Sequence, residues 1–524
     1  MHKGRLKRLR VILSLLFFTV IALLFLDFSG TIYGKGSHLF LHFQFIPSLI
    51  QFAGTLAVAA IGFIVIIVLT LLFGRVYCST FCPLGTFQDI IIRLSIKRSR
   101  KRKIFRYKKP LTWLHYGILA LVLLSLLTGS ILLVNLMDPY SIFGKIFANF
   151  FRPLLVACNN LVSIALSYAD VYSMPRIKWV VVNRAALLVA VTWMIFLVIL
   201  SVRRGRLYCN TICPVGALLG LFARFSLFRI KLDKTKCNSC GKCSAVCKAE
   251  CINPKDQSVD FSRCVGCMNC LSPCPDNGVK FSPFWVKDRP QFMEVDTGKR
   301  EFFKKSGLIL AGTVVAGKLF SQDEEKKKEV IQASVPIVRQ NPVTPPGALG
   351  QERFNSLCTA CHLCVSACPT QVLQPTYFLY GLTGFLQPRM DYLTSYCNFE
   401  CTLCGEVCPT GAILPLLPDE KKLVQLGKSY FVKENCVVYT RNTACGACSE
   451  HCPTKAVNMV PYKDKLSIPE VNNKICVGCG ACEHACPTDP KSIYVEGNPI
   501  HLVAEKPPEV RIEEKIDYKE EFPF

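Results

Sequence analysis

Residues 299–320, KREFFKKSGLILAGTVVAGKLF, stand between two blocks of cysteine motifs, and their course decides the architecture of the chain. A short basic run leads into a weakly apolar segment. If that segment crosses a bilayer, the two cysteine blocks lie on opposite sides. If it lies along a surface, they share one compartment. The eleven residues 307–317 fall short of the roughly 20 that a normal helical span needs, and Lys318 interrupts the run. The alternative to a crossing is an amphipathic linker helix on the cytoplasmic surface.

Composition narrows the class. The chain has 524 residues, enough for several domains. A mean hydropathy of +0.32 and 51% hydrophobic residues point to a membrane-embedded part. The formal net charge is +25, but residues 1–109 hold 17 Lys/Arg against 2 Asp/Glu, so the excess flanks apolar runs. That is the pattern of cytoplasmic helix ends, not of a nucleic-acid surface. If 24 of the 30 cysteines bind six [4Fe–4S] clusters as thiolates, the effective charge falls to roughly +13. No nucleic-acid partner is expected.

Four apolar runs, 11–28, 52–73, 113–134 and 179–202, each have about the length of a span. The first follows five Lys/Arg and has no small-residue cleavage site, so it reads as a retained anchor. The segment 93–109 carries ten Lys/Arg, and Arg203, Arg204 and Arg206 follow the fourth run. Both loops and the N-terminus are therefore expected in the cytoplasm, with 29–51 outside. The apolar stretch 140–172 is interrupted by Lys145, Arg152, Asn159 and Asn160 and reads as one or two interfacial helices.

The cysteines supply the chemistry. YCSTFCPLG (77–85) and YCNTICPVG (208–216) each follow an apolar helix and an arginine, which makes an internal repeat. Three readings of Cys78, Cys82, Cys209 and Cys213 stay open: one further shared cluster, a redox dithiol, or buried thiols. Next come Cys237, Cys240, Cys243 and Cys247, then Cys264, Cys267, Cys270 and Cys274 before Pro275. Three closely spaced thiolates face one cubane, and the fourth cysteine serves the other. One cluster would thus take Cys237, Cys240, Cys243 and Cys274, the other Cys264, Cys267, Cys270 and Cys247. The first run departs from the pattern, with Lys248 in place of proline and Cys251 as a rival ligand. A zinc ribbon is a poor match to two full four-cysteine runs in series.

After a charged and then proline-rich linker, four more runs follow, each ending in Cys-Pro. With neighbouring runs exchanging fourth cysteines, the sets are Cys358, Cys361, Cys364 and Cys408; Cys397, Cys401, Cys404 and Cys368; Cys436, Cys445, Cys448 and Cys486; and Cys476, Cys479, Cys482 and Cys452. Nested exchange between the first and fourth runs is the alternative. Cys358-Thr-Ala-Cys361-His362 fits the CxxCH haem-attachment pattern, yet both cysteines already belong to a complete cluster motif. The expected fold class is multi-domain, an α-helical membrane bundle of four spans plus interfacial helices followed by α+β ferredoxin-like [4Fe–4S] domains. The domains are a membrane part (1–228), a two-cluster ferredoxin part (229–285), a signal-like or fifth membrane segment (297–320), a linker (321–350), a four-cluster part (351–504) and a tail (505–524).

Two families are resembled. Through YCSTFCPLG, YCNTICPVG and the paired motifs after them, residues 1–285 resemble the NapH/NosR-type membrane ferredoxins. Through KREFFKK, PPGA (345–348), CTACHLCVSACPT, YCNFECTLCGEVCPTGAI and CGACSEHCPTKAV, residues 297–500 resemble the NapG/MauM-type ferredoxins. KREFFKK is similar to a twin-arginine export signal with lysine in place of the first arginine. The chain looks like a fusion of the two, without the N-terminal flavin domain of NosR proteins. The resemblance implies a quinol-oxidising conduit in a bacterial inner membrane, with the N-terminus and residues 203–300 cytoplasmic, the C-terminal part periplasmic, and a periplasmic reductase or c-type cytochrome as partner. No nucleotide loop or molybdenum site is legible. Arg184 and Asp138 are the candidates for a quinol site, as a pair across helix ends, and His38, His42 and His115 lie near interfaces. Two rival readings are a maturation or regulatory protein linked to copper handling, and a polyferredoxin exchanging electrons with soluble cytoplasmic partners.

Overall fold

The computed structural model describes residues 3–27, 33, 35–55, 61–98, 105–284, 335–463 and 465–506. The expected membrane segment at 297–320, part of the linker and nearly all of the tail lie outside them. Three described helices are long and apolar enough to cross a membrane: Gly4–Leu26, Pro139–Ser167 and Arg184–Arg204. The first and last are two of the four expected spans. The second expected run is divided between Phe45–Thr55 and Gly62–Phe73, and the third is the 16-residue Thr112–Leu127, about 24 Å long. Leu121, Leu124, Leu188 and Ile195 are exposed on these helices, as side chains facing lipid are.

The two cysteine repeats are buried in the core of the bundle. In the structure Cys82 and Cys213 start new helices at once, because proline follows each and occupies the first helical turn, where its missing N–H costs nothing. The helix Pro83–Arg98 turns back to pack on Lys3–Leu26 and Arg184–Arg204. Its counterpart Pro214–Ala223 packs on Gly62–Phe73 and Thr112–Leu127. Each repeat thus lays its second helix against the other repeat, and the motifs between become core.

The stretch expected at the interface is one helix, Pro139–Ser167, with a π turn at Phe147–Phe151 just before Pro153. Asp138 caps it, accepting from Ser141 N and Oγ at 2.8 Å each. Tyr140, Phe143 and Phe147 meet Phe18 and Phe25 of the first helix. Asn149 meets the C-terminal cysteine block through His362, and at Gly144 a Cβ would overlap the Cys361 carbonyl. The helix is therefore a layer between the bundle and that block.

Each cysteine module is closed by short antiparallel ladders. Phe228–Leu232 pairs with Val279–Pro283 outside an inner pair, Ile252–Asn253 with Ser258–Val259. The same nesting recurs where Val424–Phe431 pairs with Ile493–Val503 around Val457–Pro461 and Ser467–Val471. The block between them has one ladder, Leu373–Pro375 with Pro388–Met390.

The modules occupy opposite ends of one helix. At the C-terminal end of Arg184–Arg204, Arg204 pairs with Glu250 at 3.2 Å and the Arg206 amide donates to Lys248 O at 2.9 Å. At its N-terminal end, Asn183 donates to Pro375 O and Tyr377 to Asn183 Oδ1, both at 2.9 Å. Asn135 donates to Phe385 O at 2.6 Å beside them. Twenty-one residues of helix separate these ends by about 30 Å.

Replacing Gly144 by alanine should cost about 1–3 kcal/mol of stability and raise hydrogen exchange across residues 358–368. Gly117→Ala, in a helix with open space around it, should be neutral or slightly stabilising.

Candidate metal centres

The cysteines of the two ferredoxin blocks fall into groups. Cys237, Cys240, Cys243 and Cys274 line one cleft, and Cys368, Cys397, Cys401 and Cys404 line another. Burial pushes the Cys270 thiol well up, with Cys267, Cys264 and Cys247 adding to it. Burial likewise raises Cys364, beside Cys358, Cys361 and Cys408. Cys448 is pushed to about 12, by burial and then by Cys445, with Cys486 also near, and Cys482 rises among Cys479, Cys476 and Cys452. Cys436 is buried at the head of the helix Val437–Arg441. Cys251 joins the Cys247 group, its sulfur 3.5 Å from that of Cys247.

These groups fit iron–sulfur clusters better than single ions. Thiols crowded in a buried site resist ionisation unless a cationic core lies between them. Tetrahedral zinc, with Zn–S near 2.3 Å, brings its thiolates to about 3.8 Å from one another. Among the described residues no three His, Cys, Asp or Glu side chains converge tightly enough for one metal ion. A cubane spaces its ligands more widely.

Cys78, Cys82, Cys209 and Cys213 are buried together in the bundle. Two arginines with 0% exposure flank them, and each crosses to the other repeat. Arg75 donates to Cys209 O at 2.8 Å and approaches Cys78 Sγ at 3.9 Å; Arg206 donates to Cys78 O. Gly85 N donates to Cys82 Sγ at 3.4 Å and Gly216 N to Cys213 Sγ at 3.3 Å. Both sulfurs cap helix N-termini, where the peptide dipoles favour negative charge. The glycines are obligatory for a steric reason: a Cβ at either would overlap the carbonyl of Cys78 or Cys209 and crowd the crossing guanidinium.

Arg206 has a carboxylate partner, Asp89 at 3.0 Å, which also binds Lys248 at 3.2 Å and Arg10 at 3.3 Å. Arg75 has none within reach among the described residues. Its side chain meets Asn210 Oδ1, Ser262 O, Cys209 O and the Cys78 sulfur. A buried guanidinium without a counter-ion costs several kcal/mol, so this site favours an anionic occupant. The quartet is joined to the 229–285 block on one side and to the segment before the helix Pro139–Ser167 on the other. Arg75 donates to Ser262 O at 3.0 Å and Asn210 to Ala249 O at 3.1 Å. On the other side Tyr208 donates to Met137 O at 2.8 Å, next to Asp138.

The structure does not bring Arg184 and Asp138 together. Arg184 is exposed in the first turn of its helix, and Asp138 is a buried cap. Their spacing in the sequence carries no information about which helix ends meet. His115 bonds Cys213 O at 3.2 Å, His42 ends a short helix, and the side chain of His38 lies outside the described residues. His362 is used at both ring nitrogens, by Asn149 Nδ2 at 2.8 Å and by Leu386 O at 2.9 Å. Its Nε2 donates, its Nδ1 accepts, and neither is open to a haem iron.

One signal legible in the sequence escapes a reading of cysteines alone. All four C-terminal runs end in Cys-Pro-Thr, and neither run of the 229–285 part does. Thr370, Thr410, Thr454 and Thr488 place their hydroxyls 3.6, 3.6, 3.7 and 3.1 Å from Cys368, Cys408, Cys452 and Cys486. Toward an iron-bound thiolate a hydroxyl can only donate. Such bonds relieve negative charge on sulfur and shift the reduction potential.

Comparison with known proteins agrees with this chemistry. Residues 55–104 and 186–235 match the family described as "4Fe-4S binding domain", and residues 357–412 and 443–489 match "4Fe-4S dicluster domain". The chain is similar to the methylamine utilization ferredoxin-type protein MauM of Methylobacillus flagellatus, 30% identical over 35% of this chain and 77% of that one. It is similar to the ferredoxin-type protein NapH of Haemophilus influenzae, 27% identical over 43% of this chain and 69% of the relative. NapF of Escherichia coli is 27% identical over 26% and 76%. Coverage falls to 61% for another MauM, that of Methylophilus methylotrophus. No solved structure matches.

Thr454→Val should lower the midpoint potential of the cluster bound through Cys452, read by EPR-monitored redox titration, with total iron unchanged. Peroxidase staining of the denatured protein should show no covalent haem; a stained band would mean that Cys358 and Cys361 carry haem rather than iron–sulfur.

Proposed function

Because the chain belongs to the ferredoxin-type proteins of the MauM and NapH kind, iron–sulfur proteins of electron transport, we propose that it is a fusion of a membrane-bound and a periplasmic member. In this reading it takes electrons from quinol and delivers them to a periplasmic reductase or cytochrome. The observation that carries it is the placement of the two ferredoxin blocks at opposite ends of the helix Arg184–Arg204, with four buried cysteines between them. Positive charge gathers at the Arg204 end, around Arg10, Arg203, Arg204 and Lys248, as expected of a cytoplasmic face. The C-terminal block would then lie outside, and residues 297–320 would cross.

When bound, [4Fe–4S] clusters supply one-electron transfer. The proposed ligand sets are Cys237, Cys240, Cys243 and Cys274; Cys264, Cys267, Cys270 and Cys247; Cys358, Cys361, Cys364 and Cys408; Cys397, Cys401, Cys404 and Cys368; Cys436, Cys445, Cys448 and Cys486; and Cys476, Cys479, Cys482 and Cys452. Cys251, its sulfur 3.5 Å from that of Cys247, stays outside the set. Cys78, Cys82, Cys209 and Cys213 hold a seventh cluster. Each stretch matching the 4Fe-4S binding family contains only two cysteines, so one cubane needs both. Arg75 supplies the counter-charge, and the amides of Gly85 and Gly216 orient two of the thiolates. The backbone contact Cys397 N to Cys479 O, 3.0 Å, holds the second and fourth C-terminal runs together.

A second reading has support of its own. Cys240 of the 229–285 part is exposed, which suits a soluble cytoplasmic partner exchanging electrons there.

A reporter fused after residue 330 should be active only if it functions in the periplasm; a signal confined to a cytoplasmic reporter would sink the trans-membrane reading. Purified protein should contain about 28 iron atoms per chain, and Cys213→Ser about 24. Equal counts in both would remove the seventh cluster. Reduction of the clusters by a menaquinol analogue, followed by EPR, tests the donor.

A further inference from the structure

Where the first helix ends, a cleft of about 740 Å³, its open mouth included, lies between the helix Pro139–Ser167 and the C-terminal cysteine block. Asp27, Tyr33, Arg152, Ser366, Cys368 and Gln371 line it. Arg152 is 8% exposed and Ser366 2%. Among the described residues the Nε of Arg152 and the Oγ of Ser366 have no hydrogen-bond partner. Two partnerless donors, one from each wall, are what a ligand with oxygen acceptors would satisfy, since burying unpaired polar groups is costly. Tyr33 spends its proton on Leu24 O at 2.7 Å, so its oxygen presents lone pairs to a donor.

The surroundings describe the rest of the ligand. Val156, Ile177 and Val180 form an apolar flank, and the adjoining loop exposes Tyr168, Tyr172 and Trp179, side chains typical of the level where headgroups meet hydrocarbon. The opposite wall is Cys368 itself. A phosphate would meet the Asp27 carboxylate as well as Arg152, and nothing in it would use the acceptor on Tyr33. A ring bearing hydroxyl or carbonyl oxygens and an apolar tail fits both faces.

We propose that this cleft binds the headgroup of a quinol or quinone, with Arg152 and Ser366 donating to one ring oxygen and Tyr33 accepting from a quinol hydroxyl. The tail leaves past Val156 and Ile177 toward lipid. The site rests on the electron-relay reading above and gives it a point of entry against Cys368, away from both Arg184 and Asp138.

The test uses the full chain in nanodiscs and a photoreactive azidoquinone. Saturable label should map to peptides containing Tyr33, Arg152 and Ser366–Gln371 and should be suppressed by excess menaquinone. Arg152→Gln should weaken binding about tenfold with iron content unchanged. If that variant loses iron, Ser366→Ala replaces it, with a smaller loss expected, and the label map of the unaltered protein stands on its own. Saturable label elsewhere overturns the cleft while leaving quinol oxidation intact. No saturable label anywhere, together with clusters that quinol fails to reduce, overturns both. Displacement by phosphatidylglycerol but not by menaquinone would mark a lipid-anion site and overturn the proposal.

Discussion

Two guanidinium groups shut away from water are the constraint on which this structure depends. Arg75 and Arg206 are fully buried, each rooted in one repeat and bonded to the other. Removing an ion from water costs several kcal/mol unless charge and hydrogen bonds are returned. Arg206 recovers that cost from Asp89. Among the described residues Arg75 meets two carbonyls, an amide oxygen and the Cys78 thiol, so anionic sulfur there would balance its charge. Under the proposed ligation, metal loading and the packing of the bundle are one equilibrium. The helices that surround the quartet, and through them both ferredoxin blocks, inherit their positions from it.

The second dependency is the joint between bundle and C-terminal block. His362 is held from below by Asn149 and from above by Leu386 O, and Gly144 lets the Cys361 backbone come into contact with the helix. Lys145, also fully buried, donates to Asn135 O at 2.6 Å beside Cys358 and Cys361. A packed joint pinned by these hydrogen bonds fixes the separation of the groups on its two sides, where a flexible linker would let it vary. Function by relay needs that constancy, since each site must lie within reach of the next.

Much of the chemistry was legible in the chain. The spacing of the cysteine runs points to three thiolates of each run on one cubane, because a tight loop can deliver that many and little else, and it leaves the partner of each fourth cysteine open. The repeat around Cys78 and Cys209 was visible as a repeated string. What it does was not, since the crossing of Arg75 and Arg206 joins residues whose separation no periodicity encodes. The helix Pro139–Ser167 shows the same limit. Its lysine and arginine look like reasons to keep it at a water interface, whereas they face another part of the protein. Asp138 looked like a partner for a distant arginine and proved to be a cap, a role settled by the proline and serine that follow it. The threonines after Cys-Pro were in plain view, and only the distances gave them a purpose.

The exchange of arginines also bears on how the protein is made. The carbonyl of Cys78 waits for Arg206, 128 residues farther along the chain, an interval of roughly 10 s at ordinary rates of translation. Until then the first pair of thiols sits in half a site, without its guanidinium and without the other two sulfurs. Under the proposed ligation neither repeat can be matured alone: both hairpins must be in place and the arginines crossed before the four sulfurs can share one cluster.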